Sequence, residues 1–147
     1  MELKQLIKSR AHRILHRLDG YHPVSEISSI PVSAWNEIPR AVDEELIGYY
    51  INLGEEYKEV IVVTTRSLYI LANDKWHPIA YTDIQSVEPQ AVEEKHNVNS
   101  LQLYIKTGGV VVIPVTGGRG RFRDVWQFLR FLSRVVKDVQ SISEDTE

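Results

Sequence analysis

Residues 57–72 read YKEVIVVTTRSLYILA. The first part, through Thr65, is crowded with β-branched side chains, which suit a pleated and partly buried surface. Arg66 marks a tight connection. The second part, SLYILA, puts Leu68 and Ile70 on one face and Ser67 and Tyr69 on the other. Two strands joined by so short a link pair antiparallel. Upstream, EELIGYYINL from Glu45 predicts a further strand, ended by a turn around Gly54. Downstream, Asn73 and Asp74 tolerate left-handed turn geometry, and KWHPIAY (75–81) follows as the next strand. Pro78 cannot donate to a ladder, which places that strand at an edge or a bulge. Residues 84–91, IQSVEPQA, predict a weaker strand, followed by the polar loop EEKHNVN (93–99). SLQLYIK (100–106) alternates, with Leu101, Leu103 and Ile105 inward. Gly108-Gly109 is a hairpin signal, and VVVIPV (110–115) completes a set of seven strands.

Helical spacing flanks this β run at both ends. In residues 2–18, Leu3, Ile7, Ala11, Ile14, Leu15 and Leu18 form one apolar stripe at about 100° per residue. Lys4 and Lys8 flank the stripe on one side and Arg10, Arg13 and Arg17 on the other, with His12 and His16 on the polar face. Gly20 is placed to end this helix in the left-handed conformation. Residues 21–43 are punctuated by Pro23, Pro31 and Pro39. Each disfavours helix at the residue before it, so the stretch reads as an arm anchored by Ile27, Ile30, Trp35 and Ile38. A short helical turn is expected from Ser33, an N-cap type residue. At the other end, residues 122–137 place Val125, Trp126, Leu129, Leu132 and Val136 on one broad face, with Phe128 beside it. Such a helix must be buried against something. Arg130, Arg134 and Lys137 fall toward its other side, and SISEDTE reads as an acidic tail.

Hairpin succession without alternating βαβ units excludes a doubly wound parallel sheet. The expected fold is mainly β (α+β): a seven-stranded antiparallel barrel or sandwich capped by the C-terminal helix, plus an N-terminal amphipathic helix. The expected organisation is helix and arm over 1–43, the β domain with its closing helix over 44–139, and a tail over 140–147.

The run VIVVTTRSLYIL, then Trp76, IAYTDIQSVE, LQLYIKTGGVVVIPV and a final helix resembles the bacterial pleckstrin-homology-like and GRAM-like domains. The positions carrying the resemblance are Thr64, Thr65, Arg66, Leu68, Tyr81, Asp83, Ile84 and Val87. It covers roughly residues 44–137 and implies a PH-like barrel that binds rather than catalyses. Eukaryotic members that bind phosphoinositides use basic residues between the first two strands. Here that loop, residues 52–58, is NLGEEYK, short and acidic, which argues against that lipid site.

Composition narrows the chemistry. The chain has 147 residues and a formal net charge of −3, which speaks against a dedicated nucleic-acid binder. It has no cysteine, so disulfides, thiolate catalysis and cysteine-held zinc are excluded. No apolar run reaches the roughly 20 residues of a membrane span, and the charged N-terminus is unlike a signal peptide, so a cytoplasmic location is expected. No nucleophile-elbow or nucleotide-loop motif is present. The acids at Asp43, Glu44, Glu45, Glu55, Glu56, Glu93 and Glu94 sit in turns and strand ends, where carboxylates are usually solvated. His12 and His16 have the i, i+4 spacing of metal ligands, but Arg13 stands where a metalloprotease carries Glu, and Arg17 adds repulsion. Neither cofactor nor metal is expected.

Two surfaces remain as candidates. Arg119, Arg121 and Arg123 follow glycines at a strand–helix junction, where backbone N–H groups and guanidinium forks suit an anion or an acidic partner. The N-terminal stripe, with Leu3, Ile7, Ile14, Leu15 and Leu18 beside Lys4, Lys8 and Arg10, could dock on the protein itself, on a partner or on an anionic membrane. The leading expectation is a non-catalytic module for protein–protein interaction or assembly, including a homo-oligomer. Peripheral binding to an anionic lipid surface is the second reading, and an accessory or inhibitory subunit of an enzyme is the third.

Overall fold

Among the described residues, β-branched and aromatic runs build eight strands, numbered β1 to β8 in chain order, between two helices. The computed structural model describes residues 2–18, 20–24, 30, 35, 38, 40–51, 60–72, 75–89, 100–115 and 124–145. Helix α1 (Leu3–Ile14) tightens into one 3-10 turn over Leu15–Arg17. Strands β1 (Tyr21–Pro23), β2 (Leu46–Ile51), β3 (Val60–Thr64), β4 (Ser67–Ala72) and β5 (Lys75–Ala80) form one antiparallel sheet in sequential order. A 3-10 turn at Tyr81–Asp83 leads into a second sheet of β6 (Ile84–Pro89), β7 (Ser100–Ile105) and β8 (Val110–Pro114). Helix α2 runs from Asp124 to Asp145.

The described strands pair in two separate sheets of five and three. Of the barrel or sandwich expected, the barrel closure is corrected: the described strands form two sheets that are not closed into a barrel. Prolines mark the four outer strands: Pro23 on β1, Pro78 on β5, Pro89 on β6 and Pro114 on β8. A residue without an N–H fits where no second neighbour needs one. The β7–β8 link is the glycine hairpin expected, with Gly108 at φ 112° and Gly109 at φ 91°, conformations that residues with a Cβ avoid.

β3 explains the layering. All five of its residues are buried, so it is covered on both faces. Ile61 and Val63 face the main core with Leu68, Ile70, Leu101, Leu103, Phe128 and Phe131. Val60 and Val62 face a second core with Trp35, Ile30, Tyr69 and Leu71. The arm supplies that second cover. Trp35 is fully buried, with ring centroids 4.9 Å from Tyr69 and 5.3 Å from Trp76. Arg40 lies 4.5 Å over the Trp35 ring and donates from Nη1 to its carbonyl at 3.0 Å. Of the expected anchors, Ile30 is buried and Ile38 partly buried, while Ile27 lies outside the described residues. Ile38 N–H donates to the Trp35 carbonyl at 3.2 Å. The Ser33 and Asn73-Asp74 turn residues also lie outside the described residues, though Ala72 and Lys75 pair across the latter.

Three expectations change. A short strand, β1, pairs with β2 where only an arm was expected. α2 continues to Asp145, so the tail reading of residues 140–147 ends too early a helix whose Val135, Val136 and Val139 stay buried. Gly20 is not a left-handed helix cap. Leu18 is already extended after the 3-10 turn, and Gly20 is small because a Cβ there would lie 2.7 Å from the Ile51 carbonyl oxygen and 2.9 Å from the Tyr50 ring. Gly20→Ala should therefore destabilise the protein by about 1–3 kcal/mol, the usual range for overpacking. Urea unfolding checks this, and unchanged stability would show that the Gly20–β2 approach is looser than described.

Candidate functional site

The residues that carry the PH-like resemblance act as joints. Thr64 Oγ1 donates to Glu44 Oε2 at 2.6 Å and accepts from the Ser67 N–H at 3.0 Å, which closes the β3–β4 turn. Thr65 Oγ1 accepts from the Glu45 N–H at 2.9 Å. Tyr81, fully buried, donates to the Thr64 carbonyl at 2.8 Å, and its own N–H reaches the Arg66 carbonyl. Tyr69 donates to Glu44 at 2.9 Å. Arg66 pairs with Asp43 at 3.0 Å. Asp83 accepts at its carbonyl from the Lys106 N–H at 2.9 Å. These positions hold the two sheets and the start of β2 together.

The N-terminal stripe is spent within the chain. Ile7, Ala11, Ile14, Leu15 and Leu18 are buried in the main core, and Leu3 packs against it. The partner or membrane role expected for Ile7, Ile14, Leu15 and Leu18 is thus corrected: α2 and the sheet already cover them. The cations beside them are also occupied. Lys4 and Lys8 both pair with Glu45, at 3.0 Å and 2.8 Å. Hydrogen bonds from Lys8, then Lys4, hold the Glu45 carboxyl below the usual carboxylate range. Arg10 Nε pairs with Asp138 at 3.2 Å. At the far end of α2, the carboxylate of buried Asp124 accepts from the Gly20 N–H at 3.2 Å and from the Tyr50 hydroxyl at 2.8 Å.

Among the described residues, two of the clefts beside α1 are lined by His12 and His16. One, of about 630 Å³, is lined by Lys8, His12, His16, Tyr21, Glu44 and Glu45 among others. Its charges are already engaged, Lys8 with Glu45 and Glu44 with Thr64 and Tyr69. The other, of about 360 Å³, is lined by His12, Arg13, Ile14, His16, Arg17, Arg130 and Arg134. Its four arginines are exposed, and none takes part in an ion pair among the described residues. His12 and His16 stand with ring centroids 5.5 Å apart, between the two clefts. No group of three His, Asp or Glu suited to a metal occurs among the described residues. Arg119, Arg121 and Arg123, like the acidic loop 52–58, lie outside the described residues. The arginine cleft was missed in the sequence because each half sits on a different helix.

The chain matches no family model and no curated protein. Among solved structures it is similar to a DUF1696 family protein with a pleckstrin-homology domain from Shewanella loihica PV-4. The identity is 13%, covering 80% of this chain and 97% of that one, with a TM-score of 0.51. The fold is pleckstrin-homology-like. At that identity the likeness speaks for architecture alone, and it supports the PH-like rather than the GRAM-like half of the resemblance. No helix among the described residues is long and apolar enough to cross a membrane.

The buried phenols make a pH test of this packing. Burial, with the Glu44 hydrogen bond adding to it, pushes Tyr69 up to about 12. Burial also raises Tyr81 and Tyr21 well above the ordinary tyrosine value. Each folded-state phenol holds its proton more tightly than the unfolded chain, so its stabilising contribution is full below about pH 10. For Tyr69 it is lost as pH rises from there to about 12. Urea unfolding over this window should show a steep fall in stability, made shallower by Tyr69→Phe. Ionisation of all the tyrosines together near pH 10, followed by absorbance, would contradict the packing.

Proposed function

We propose that the chain is a non-catalytic binding module of PH-like fold that mediates protein–protein contact, and that its contact face is the arginine cleft between α1 and α2. The observation that carries this reading is the contrast in charge pairing. Lys4, Lys8, Arg10 and Arg66 each have a carboxylate partner, whereas Arg13, Arg17, Arg130 and Arg134 converge on one cleft with none among the described residues. Clustered guanidinium groups repel one another and are relieved by an acidic partner. The joints at Thr64, Thr65 and Tyr81 serve the fold, which leaves this face as the better candidate for function.

The reading moves the contact face away from the apolar stripe, whose burial removes it as a docking surface. It also weakens the idea that the acidic turns meet a basic partner, because Asp43, Glu44 and Glu45 are engaged internally. An anionic lipid surface is the second reading, since arginines attract it too. It is less favoured because the exposed large apolar residues among those described, Val42, Val110 and Val112, do not line the cleft.

Surface plasmon resonance on immobilised poly-L-glutamate tests the proposal. Wild-type protein should bind, more weakly as salt rises, and Arg13→Glu with Arg134→Glu should lower affinity by roughly tenfold or more. Charge reversal at Lys4 and Lys8 should change it far less. Binding only to phosphatidylglycerol vesicles, with none to poly-L-glutamate, would replace the protein reading by the lipid one.

A further inference from the structure

The four arginines are ordered, and the order describes a ligand. Arg10 pairs with Asp138, and Gly20 meets Asp124. As residue number rises along α1 it falls along α2, so the two helices run antiparallel. In that antiparallel order Arg13 falls toward the Arg134 side of the cleft and Arg17 toward the Arg130 side. The cleft therefore carries two rungs, each with one guanidinium from α1 or its terminal turn and one from α2. On α2 the arginines are four residues apart, a rise of about 6 Å, and Arg13 and Arg17 are also four apart, across the 3-10 turn, whose rise per residue is slightly larger. Buried Ile14 and exposed His12 and His16 line the same cleft.

A guanidinium offers a planar fork that matches a carboxylate in two-point geometry. Two forks facing each other suit one carboxylate clamped from both sides. Two such rungs suit two carboxylates about 6 Å apart, which is the axial separation of residues i and i+4 on an α-helix. A single small anion would fill one rung only, and a lipid surface would respond to total charge without regard to the spacing. Charge complementarity and pitch together point to a third helix lying along the seam.

We propose that the α1–α2 seam is a docking groove for an acidic helix of a partner protein. Asp or Glu side chains four residues apart on that helix are held by the Arg13–Arg134 and Arg17–Arg130 rungs. This rests on the reading above that the cleft is the contact face, and adds the register of the partner. The free protein keeps like charges together without acids among the described residues, so the partner relieves repulsion as it binds. Binding to the folded state also raises the unfolding temperature.

The test uses two synthetic helical peptides of equal composition and charge. One carries its Glu residues at i and i+4, and the other spreads them around the helix. Calorimetry with the full chain should show the first peptide binding roughly tenfold more tightly than the second. Arg17→Lys and Arg130→Lys keep the charge but lose the fork, and should erase the preference while retaining weak, salt-sensitive binding. Arg17→Gln with Arg130→Gln should leave the unliganded unfolding temperature unchanged or higher, and should abolish its rise with the i, i+4 peptide. A merely structural role would instead lower the unliganded value. Equal, arginine-dependent binding of both peptides overturns the groove and leaves the contact face standing. No binding of either peptide or of poly-L-glutamate overturns both.

Discussion

The rest of the structure depends on β3 being buried on both faces. A run of Val60, Ile61, Val62, Val63 and Thr64 cannot turn one side to water without exposing branched apolar groups. The chain must cover each side separately, and it does so with segments far apart in sequence. The sheet and helices close over Ile61 and Val63, while the proline-punctuated arm carries Trp35 over Val60 and Val62. Ile30, Trp35 and Ile38 from this stretch thus help cover a sheet face. Arg40 stacked on Trp35, and bonded to its carbonyl, ties the chain ahead of β2 to that cover.

The same logic explains α1. The main sheet and α2 leave apolar surface that the stripe Ile7, Ala11, Ile14, Leu15 and Leu18 completes. Polar ties then set its position: Lys4 and Lys8 to Glu45 just before β2, Arg10 to Asp138, and Asp124 to Gly20 and Tyr50. The surface ion pairs add little energy individually. Their value is in direction, because they hold α1 antiparallel to α2 at a chosen level. The level is what brings Arg13 and Arg17 beside Arg134 and Arg130.

Much of the fold was legible in residue pattern. Seven of the eight strands, both helices and the edge placement of Pro78 follow from alternation, branching and turn chemistry. The misses have local causes. β1 is three residues ending in a proline, too short for periodicity to register. The end of α2 hides behind Ser141 and Ser143, poor helix formers that tertiary packing of Val139 overrides. Gly20 looked like a cap because close backbone approach leaves no mark in one sequence. The site was less legible. Lys4, Lys8, Arg10, Arg13 and Arg17 read alike on a helical wheel. What separates them is whether a carboxylate many residues away arrives beside them, as Glu45 and Asp138 do for the first three.

The joints of the PH-like fold are distinct from the proposed contact face. The PH-like residues Thr64, Thr65, Tyr81 and Asp83 close turns and join sheets, and would do so whatever the domain binds. The arginine rungs need something more: a second helix laid against the C-terminal one. That helix comes from the N-terminal segment. Removing α1 would expose apolar surface on α2 and would also halve each rung. In the proposed reading, α1 therefore serves both the core and the contact face. A partner that binds the rungs must also favour the docked position of α1, since only that position presents both guanidinium groups of a rung.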